Sequence, residues 1–237
     1  MSRVFKGLLS LLLIGALIGG AFASIVGLRS STRFPIRGIE LQGELKYITK
    51  EEVINLVSKE LNHGFFGLDV EAISRALKNL PWLDQVFIKR VWPDKLLVTV
   101  REQNPQAYFG ETGMLSTGAK VFYPPTKPTP PLKLPKFTGP ESRAKEMLDN
   151  YFTFLERLAP LGLKVEEILL SDAGSWQIVL EDGMNIILGK VALEERLGRF
   201  ALAYPKSLHQ ERPKIAYLDL RYPNGFAIGW KKSVEME

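Results

Sequence analysis

The spacing of apolar positions changes repeatedly along the chain, and each change marks an element. Residues 7–28 read GLLSLLLIGALIGGAFASIVGL and carry no charge. As a helix this run rises about 33 Å at ~1.5 Å per residue, enough to cross a hydrocarbon core. No polar face interrupts it, so the expectation is a transmembrane helix at 7–28 behind a short tail, 1–6, with Arg3 and Lys6. A cleaved signal peptide is the alternative, because Ala21-Phe22-Ala23 has the form of a cleavage site and follows Gly19-Gly20. Apolar character continues through Ile25, Val26 and Leu28, beyond the usual signal-peptide core, which favours a retained anchor. Arg29, Arg33 and Arg37 follow the span, so basic residues flank it on both sides and charge does not orient it. Large domains translocate largely regardless of charge, which leaves a short inner tail and an exported body as the default.

After a polar linker at 30–35, the pattern turns to alternation. Ile39 and Leu41 give residues 36–43 the period of a strand. Thr49 and Glu52 form a capping box that opens a helix with Val53, Leu56, Val57 and Leu61 on its apolar face, closing at Asn62-His63-Gly64. Asp69 caps a second helix with Val70, Ile73, Leu77 and Leu80, stopped by Pro81. Strands at 85–92 and 95–103 follow, joined at Pro93-Asp94. The order β-α-α-β-β predicts a small α+β domain at 34–103, because each helix needs a sheet face for its single apolar stripe.

Pro124, Pro125, Pro128, Pro130, Pro131 and Pro135 make the next stretch an extended connector, since proline fixes φ and lacks an amide donor. Beyond it, apolar residues at helical spacing predict a helix at 142–159. Strands are expected at 165–170, 176–180 and 185–188, a helix at 193–204, and strands at 215–220 and 226–230. The last two flank Arg221-Tyr222-Pro223-Asn224-Gly225, where Asn224-Gly225 is a turn signal. Residues 104–230 therefore read as a second α+β domain with a mainly antiparallel sheet, and 231–237 as a tail.

Composition narrows the chemistry. The chain has no Cys, which excludes disulfides, thiolate metal sites and a thiol nucleophile. It has two His, His63 and His209, both in polar turns, so no three-His metal site can form. Net charge is +5, too small and too scattered to imply nucleic acid. The glycines at 183 and 189 before Lys190 imitate a phosphate loop, but the spacing and the apolar interior read better as a hairpin. The carboxylate pairs Glu51/Glu52, Glu166/Glu167 and Glu194/Glu195 are adjacent in sequence and do not face one another on a helix. The expectation is a chain that is not an enzyme, with no cofactor, no metal and no small-molecule substrate.

The segment LPWLDQVFIKRVWPDKLLVTVREQNPQA at 80–107 resembles a POTRA domain of the FtsQ/DivIB family of bacterial cell-division proteins. Further matches lie at Leu134-Pro135, Gly139-Pro140-Glu141, Ser175-Trp176-Gln177, and from Leu218-Asp219-Leu220-Arg221-Tyr222 to Trp230. The resemblance implies a single-pass type II inner-membrane protein with its bulk in the periplasm. It implies a divisome scaffold that binds FtsB and FtsL, links early cytoplasmic to late periplasmic division proteins, and controls divisome assembly and septal wall synthesis. Another POTRA-bearing envelope component that captures client strands is the alternative.

Residues 226–230 form the last predicted strand, so no later strand need cover its outer edge. An uncovered edge offers a row of backbone donors and acceptors to a partner strand. Phe226, Ile228 and Trp230 share one face by parity, while Ala227 and Gly229 are small on the other. These aromatics could simply pack the core. The resemblance instead implies a partner-binding site at Tyr222, Asn224, Gly225, Phe226, Gly229 and Trp230, with Phe226 and Ile228 leaning on the core. Some family members carry basic residues before the Ser-Trp pair, where Ala173-Gly174 stand here, which removes any charge pairing at that place.

Overall fold

The computed structural model describes residues 3–29, 34–61, 64–129 and 131–231. Most of the linker, Asn62, His63, Pro130 and the tail after Lys231 lie outside the described residues. Contacts divide the chain into two compact units, Met1–Gln103 and Asn104–Glu237.

The first unit opens with helix α1, Arg3–Arg29. Its described side chains are Gly7 and residues 10–23, and Leu11, Leu13, Leu17, Ile18 and Phe22 among them are all exposed. Among the described residues no helix is long and apolar enough to cross a membrane. Strand β1, Gly38–Gln42, leads to α2, Lys50–Lys59, the short α3, Gly64–Gly67, and α4, Val70–Lys78. Both long helices start as their capping residues predict. The Thr49 hydroxyl accepts the Glu52 amide at 3.2 Å while the Glu52 carboxylate accepts the Thr49 amide at 2.8 Å. Asp69 accepts the Ala72 amide at 2.9 Å. The expected order lacked α3, a single helical turn that buries Phe65.

Strands β2, Leu83–Val91, and β3, Lys95–Glu102, pair antiparallel, and β1 joins β3 in parallel, giving the order β1-β3-β2. Leu96, Val98 and Val100 alternate along β3 and are buried with Val53, Val57, Ile73 and Leu77 of the helices. Glu102 closes the far end of the sheet, its carboxylate accepting the amides of Tyr47 at 3.0 Å and Ile48 at 2.7 Å.

The second unit holds a nine-stranded sheet. Four strands come first: β4, Pro105–Phe109; β5, Gly113–Ser116; β6, Val121–Phe122; and β7, Lys136–Thr138. None of these is predicted from the sequence. They are short, and β7 pairs in parallel with β4 and with β8 rather than with a hairpin partner, so no local alternation reveals it. Helix α5, Ala144–Leu158, precedes β8, Val165–Leu170, β9, Trp176–Leu180, and β10, Asn185–Gly189. Helix α6, Leu193–Ala203, runs into a π-turn, Tyr204–Leu208, and then β11, Ile215–Asp219, and β12, Ala227–Trp230, end the described fold. These later elements match the sequence expectation within a residue or two, apart from the π-turn. The mimic of a phosphate loop is the β9–β10 hairpin, whose turn is held by Asp182 accepting the Met184 amide at 3.2 Å.

The strand order is β12-β11-β10-β9-β8-β7-β4-β5-β6. Five pairings are antiparallel and three parallel, so the sheet is mixed with an antiparallel majority. Residues Phe154, Leu158, Leu197 and Phe200 of the helices share one core with Ile168, Ile178, Ile186 and Leu218 of the strands. The Phe154 and Trp176 rings meet edge-on at 5.9 Å within it.

Candidate functional site

The outermost strand on one side of this sheet is β12, and among the described residues nothing pairs with its outer edge. The Lys231 amide donates inward to the Lys214 carbonyl at 2.7 Å. Because direction alternates along an antiparallel strand, Ala227 and Gly229 also turn their backbone groups toward β11. Ile228 and Trp230 therefore point their amides and carbonyls away from the sheet. The outer edge of β12 is therefore a short strip of peptide groups without a strand partner among the described residues.

Side chains frame the strip. Tyr222 in the preceding loop and Trp230 at the strand end are 54% and 53% exposed. Asn224 is exposed and Gly225 half-buried. Phe226 and Ile228 are half-buried and lean on the central core, which is the packing the parity argument left open. Gly229 is a close-approach position. A Cβ there would collide with the ring of Tyr217, which lies across the glycine from β11. The small surface expected at Gly229 is thus already roofed by an aromatic of the same chain, and Tyr217 is itself exposed.

Two polar devices hold the loop that presents Tyr222. The buried Asp219 carboxylate accepts the Arg221 amide at 3.0 Å, its Nε at 2.9 Å and its Nη2 at 2.6 Å. Those bonds to the guanidinium hold the Asp219 carboxyl below the usual carboxylate range, against the opposing effect of burial. On the other side, Arg199 of α6 donates to the Tyr222 carbonyl at 3.1 Å and is itself paired with Glu195 at 2.6 Å. Both bonds fix the start of the loop, at Arg221 and Tyr222. Sequence reading missed Asp219, Arg199 and Tyr217 as contributors. Arg199 had one visible signal, its i,i+4 spacing from Glu195, but nothing in the sequence connects it to residue 222.

Among the described residues no group of three or more His, Asp or Glu side chains could hold a metal ion. His209 is exposed and sets its ring edge-on to Tyr204 at 5.7 Å. His63 lies outside the described residues.

Comparison with known proteins divides the chain at nearly the same place as its contacts do. The FtsQ-type POTRA domain profile matches residues 34–103. The profile described as cell division protein FtsQ/DivIB, C-terminal, matches residues 107–221 and so stops one residue short of Tyr222. Cell division protein FtsQ of Hahella chejuensis is 34% identical over 215 residues, covering 91% of this chain and 76% of that one. The protein of the same name from Vibrio cholerae is 31% identical over 231 residues, covering 97% and 86%. That of Coxiella burnetii is 29% identical over 231 residues, covering 98% and 93%.

Proposed function

The chain belongs to the FtsQ/DivIB family of cell division proteins, and on that premise we propose that it is a non-catalytic scaffold of the bacterial divisome. In this reading α1 is a single-pass type II anchor in the inner membrane and the rest of the chain is periplasmic. The uncharged run at 7–28 and the exposure of its leucines and isoleucines support an anchor, since such a surface is stable only in lipid or under another protein. Residues 34–103 serve as the POTRA domain and 104–230 as the partner-binding domain. The scaffold binds FtsB and FtsL, joining early cytoplasmic division proteins to septal wall synthesis.

The observation that carries the proposal is the outer edge of β12, unpaired among the described residues, with the exposed aromatics Tyr222 before it and Trp230 on it. FtsB supplies a strand to that edge, its backbone bonding to Ile228 and Trp230 while the two rings close over its side chains. Aromatics so placed are typical binding hot spots, each worth ~2 kcal/mol or more on truncation. A titration of the full chain in detergent micelles against an FtsB–FtsL complex tests this. Saturable binding that Tyr222→Ala and Trp230→Ala both weaken supports it. Curves for both variants that superimpose on the parent remove this edge from the interface.

A further inference from the structure

Phe34, Phe66 and Trp92 are 40%, 42% and 74% exposed although they are far apart in sequence. The fold gathers them at one end of the three-stranded sheet. The Phe34 carbonyl accepts the Phe65 amide at 2.8 Å, and the rings of Phe34 and Phe66 meet edge-on with centroids 5.3 Å apart. The Arg37 amide donates to the Asp94 carbonyl at 2.8 Å, tying the chain just past Phe34 to the β2–β3 turn that carries Trp92. Arg90, at the start of that turn, donates to the Leu68 carbonyl just beyond α3. Three exposed rings thus share the end of the domain at which β1 begins.

The same end is tethered to α1. Five Cα steps separate Arg29 from Phe34, which allows at most about 17 Å of extended chain. Helix α3 also lies beside α1. Arg29, Arg33 and Arg37 place three positive charges within this stretch of sequence, and Arg37 is exposed. Aromatic rings with neighbouring arginines are the composition favoured at a membrane–water interface, where the rings sit among headgroups and the cations meet anionic lipid.

Resting on the reading of α1 as an anchor, we infer that this end of the POTRA domain is seated on the bilayer surface. Phe34, Phe66 and Trp92 enter the headgroup layer, and the sheet stands away from it. The domain is then held at a fixed height by its own side chains as well as by its tether. The opposite end, where Glu102 holds the turn at Lys46, stays in water. The length of β3 puts it about 23 Å from the lipid-facing end.

The chain contains no Cys, so single labels report without background. Full-length Phe66→Cys, Trp92→Cys, Lys46→Cys and Leu17→Cys variants, each carrying an environment-sensitive fluorophore, are reconstituted into phosphatidylethanolamine–phosphatidylglycerol vesicles. Nitroxide quenchers are placed either on the headgroup or midway down the acyl chain. The expected result is headgroup quenching at 66 and 92 about threefold stronger than at 46, with acyl-chain quenching at 17. If 17 is quenched while 66 and 92 behave like 46, the anchor stands and the interfacial seat is wrong. Such a result would leave the rings free for a protein partner. If 17 is not quenched, α1 is not in the bilayer and both readings fall together.

Discussion

At one margin of the nine-stranded sheet lies β6, two residues long; at the other lies β12, four residues long, with neither a proline nor a charge. Beyond β6 the chain passes through Tyr123 into Pro124 and Pro125, which have no amide to offer. Tyr123 is pinned by its hydroxyl to Glu141 at 2.8 Å. Natural sheets blunt exposed edges with short strands, prolines and charges because a bare edge recruits other chains. Exposed aromatics stand at both margins, Tyr123 beside β6 and Trp230 on β12, so the contrast lies in strand length and prolines: one margin is blunted, and among the described residues the other is left open. The contrast supports the proposal that the β12 margin pairs with a partner strand, and it can be broken by experiment.

The largest effect is expected where backbone and aromatic contributions coincide. Trp230→Ala should weaken FtsB binding at least tenfold, and Tyr222→Ala comparably, at ~1.4 kcal/mol per decade. Trp230→Pro removes an outward-facing amide as well as the ring, so it should weaken binding about a hundredfold. The inward ladder to β11 does not use that amide, so circular dichroism and thermal midpoint should match those of Trp230→Ala. Equal affinities for the alanine and proline variants would show that the rings bind without strand addition.

The second comparison is between Asp219, which holds the open margin from beneath, and the exposed ion pairs elsewhere. Its carboxyl is held below the usual range by Arg221, so its contribution is complete above pH ~4, the unfolded value. That contribution is lost as pH falls through the lower folded value. Asp219→Asn should cost about 1 to 2 kcal/mol of stability at pH 7, and the gap from the parent should shrink on acidification below ~4. Denaturant titrations at pH 7 and pH 3 check the sign. A gap that widens at pH 3 would assign the stabilisation to another group. Breaking the largely exposed pair of Lys145 with Asp149 should change stability at pH 7 by no more than about 0.5 kcal/mol.

How much of this was legible beforehand follows from where each force acts. Thr49, Glu52 and Asp69 announce their helices because a cap bonds within three residues. The strands from Val165 to Gly189 are legible because they pair as consecutive antiparallel neighbours with clean alternation. Strand β7 was not, since three residues after a proline-rich run gain their identity only from parallel neighbours remote in sequence. At the site, parity placed Phe226, Ile228 and Trp230 on one face without saying which way it turns, and the first two pack on the core while Trp230 is exposed. The roof of Tyr217 over Gly229 and the reach of Arg199 to the Tyr222 carbonyl depend on which elements become neighbours, and no pattern in one segment carries that.

The roofed glycine gives a smaller test of the open margin. Gly229→Ala forces the Tyr217 ring aside and should cost about 1 kcal/mol of stability through overpacking, with a two- to fivefold loss of partner affinity. Tyr217→Ala with Gly229→Ala should recover the stability, because the colliding ring is gone. Recovery of stability without recovery of affinity would show that Tyr217 touches the partner as well as the glycine. If neither quantity recovers, the methyl group meets something other than Tyr217.

The smallest effect belongs to the blunted margin. Pro125→Ala restores an amide at an exposed position just past β6 without touching the core. Affinity for FtsB should stay within about twofold of the parent, since this margin is the far side of the sheet from β12. The sharper readout is self-association, because the prolines are there to deny a template rather than to bind. Sedimentation at increasing concentration should show the Pro125→Ala chain forming more dimer than the parent, and a Pro125→Lys control showing none, as charge replaces the missing blunting. A Pro125→Ala chain that loses partner affinity and stays monomeric would reverse the roles assigned to the two margins.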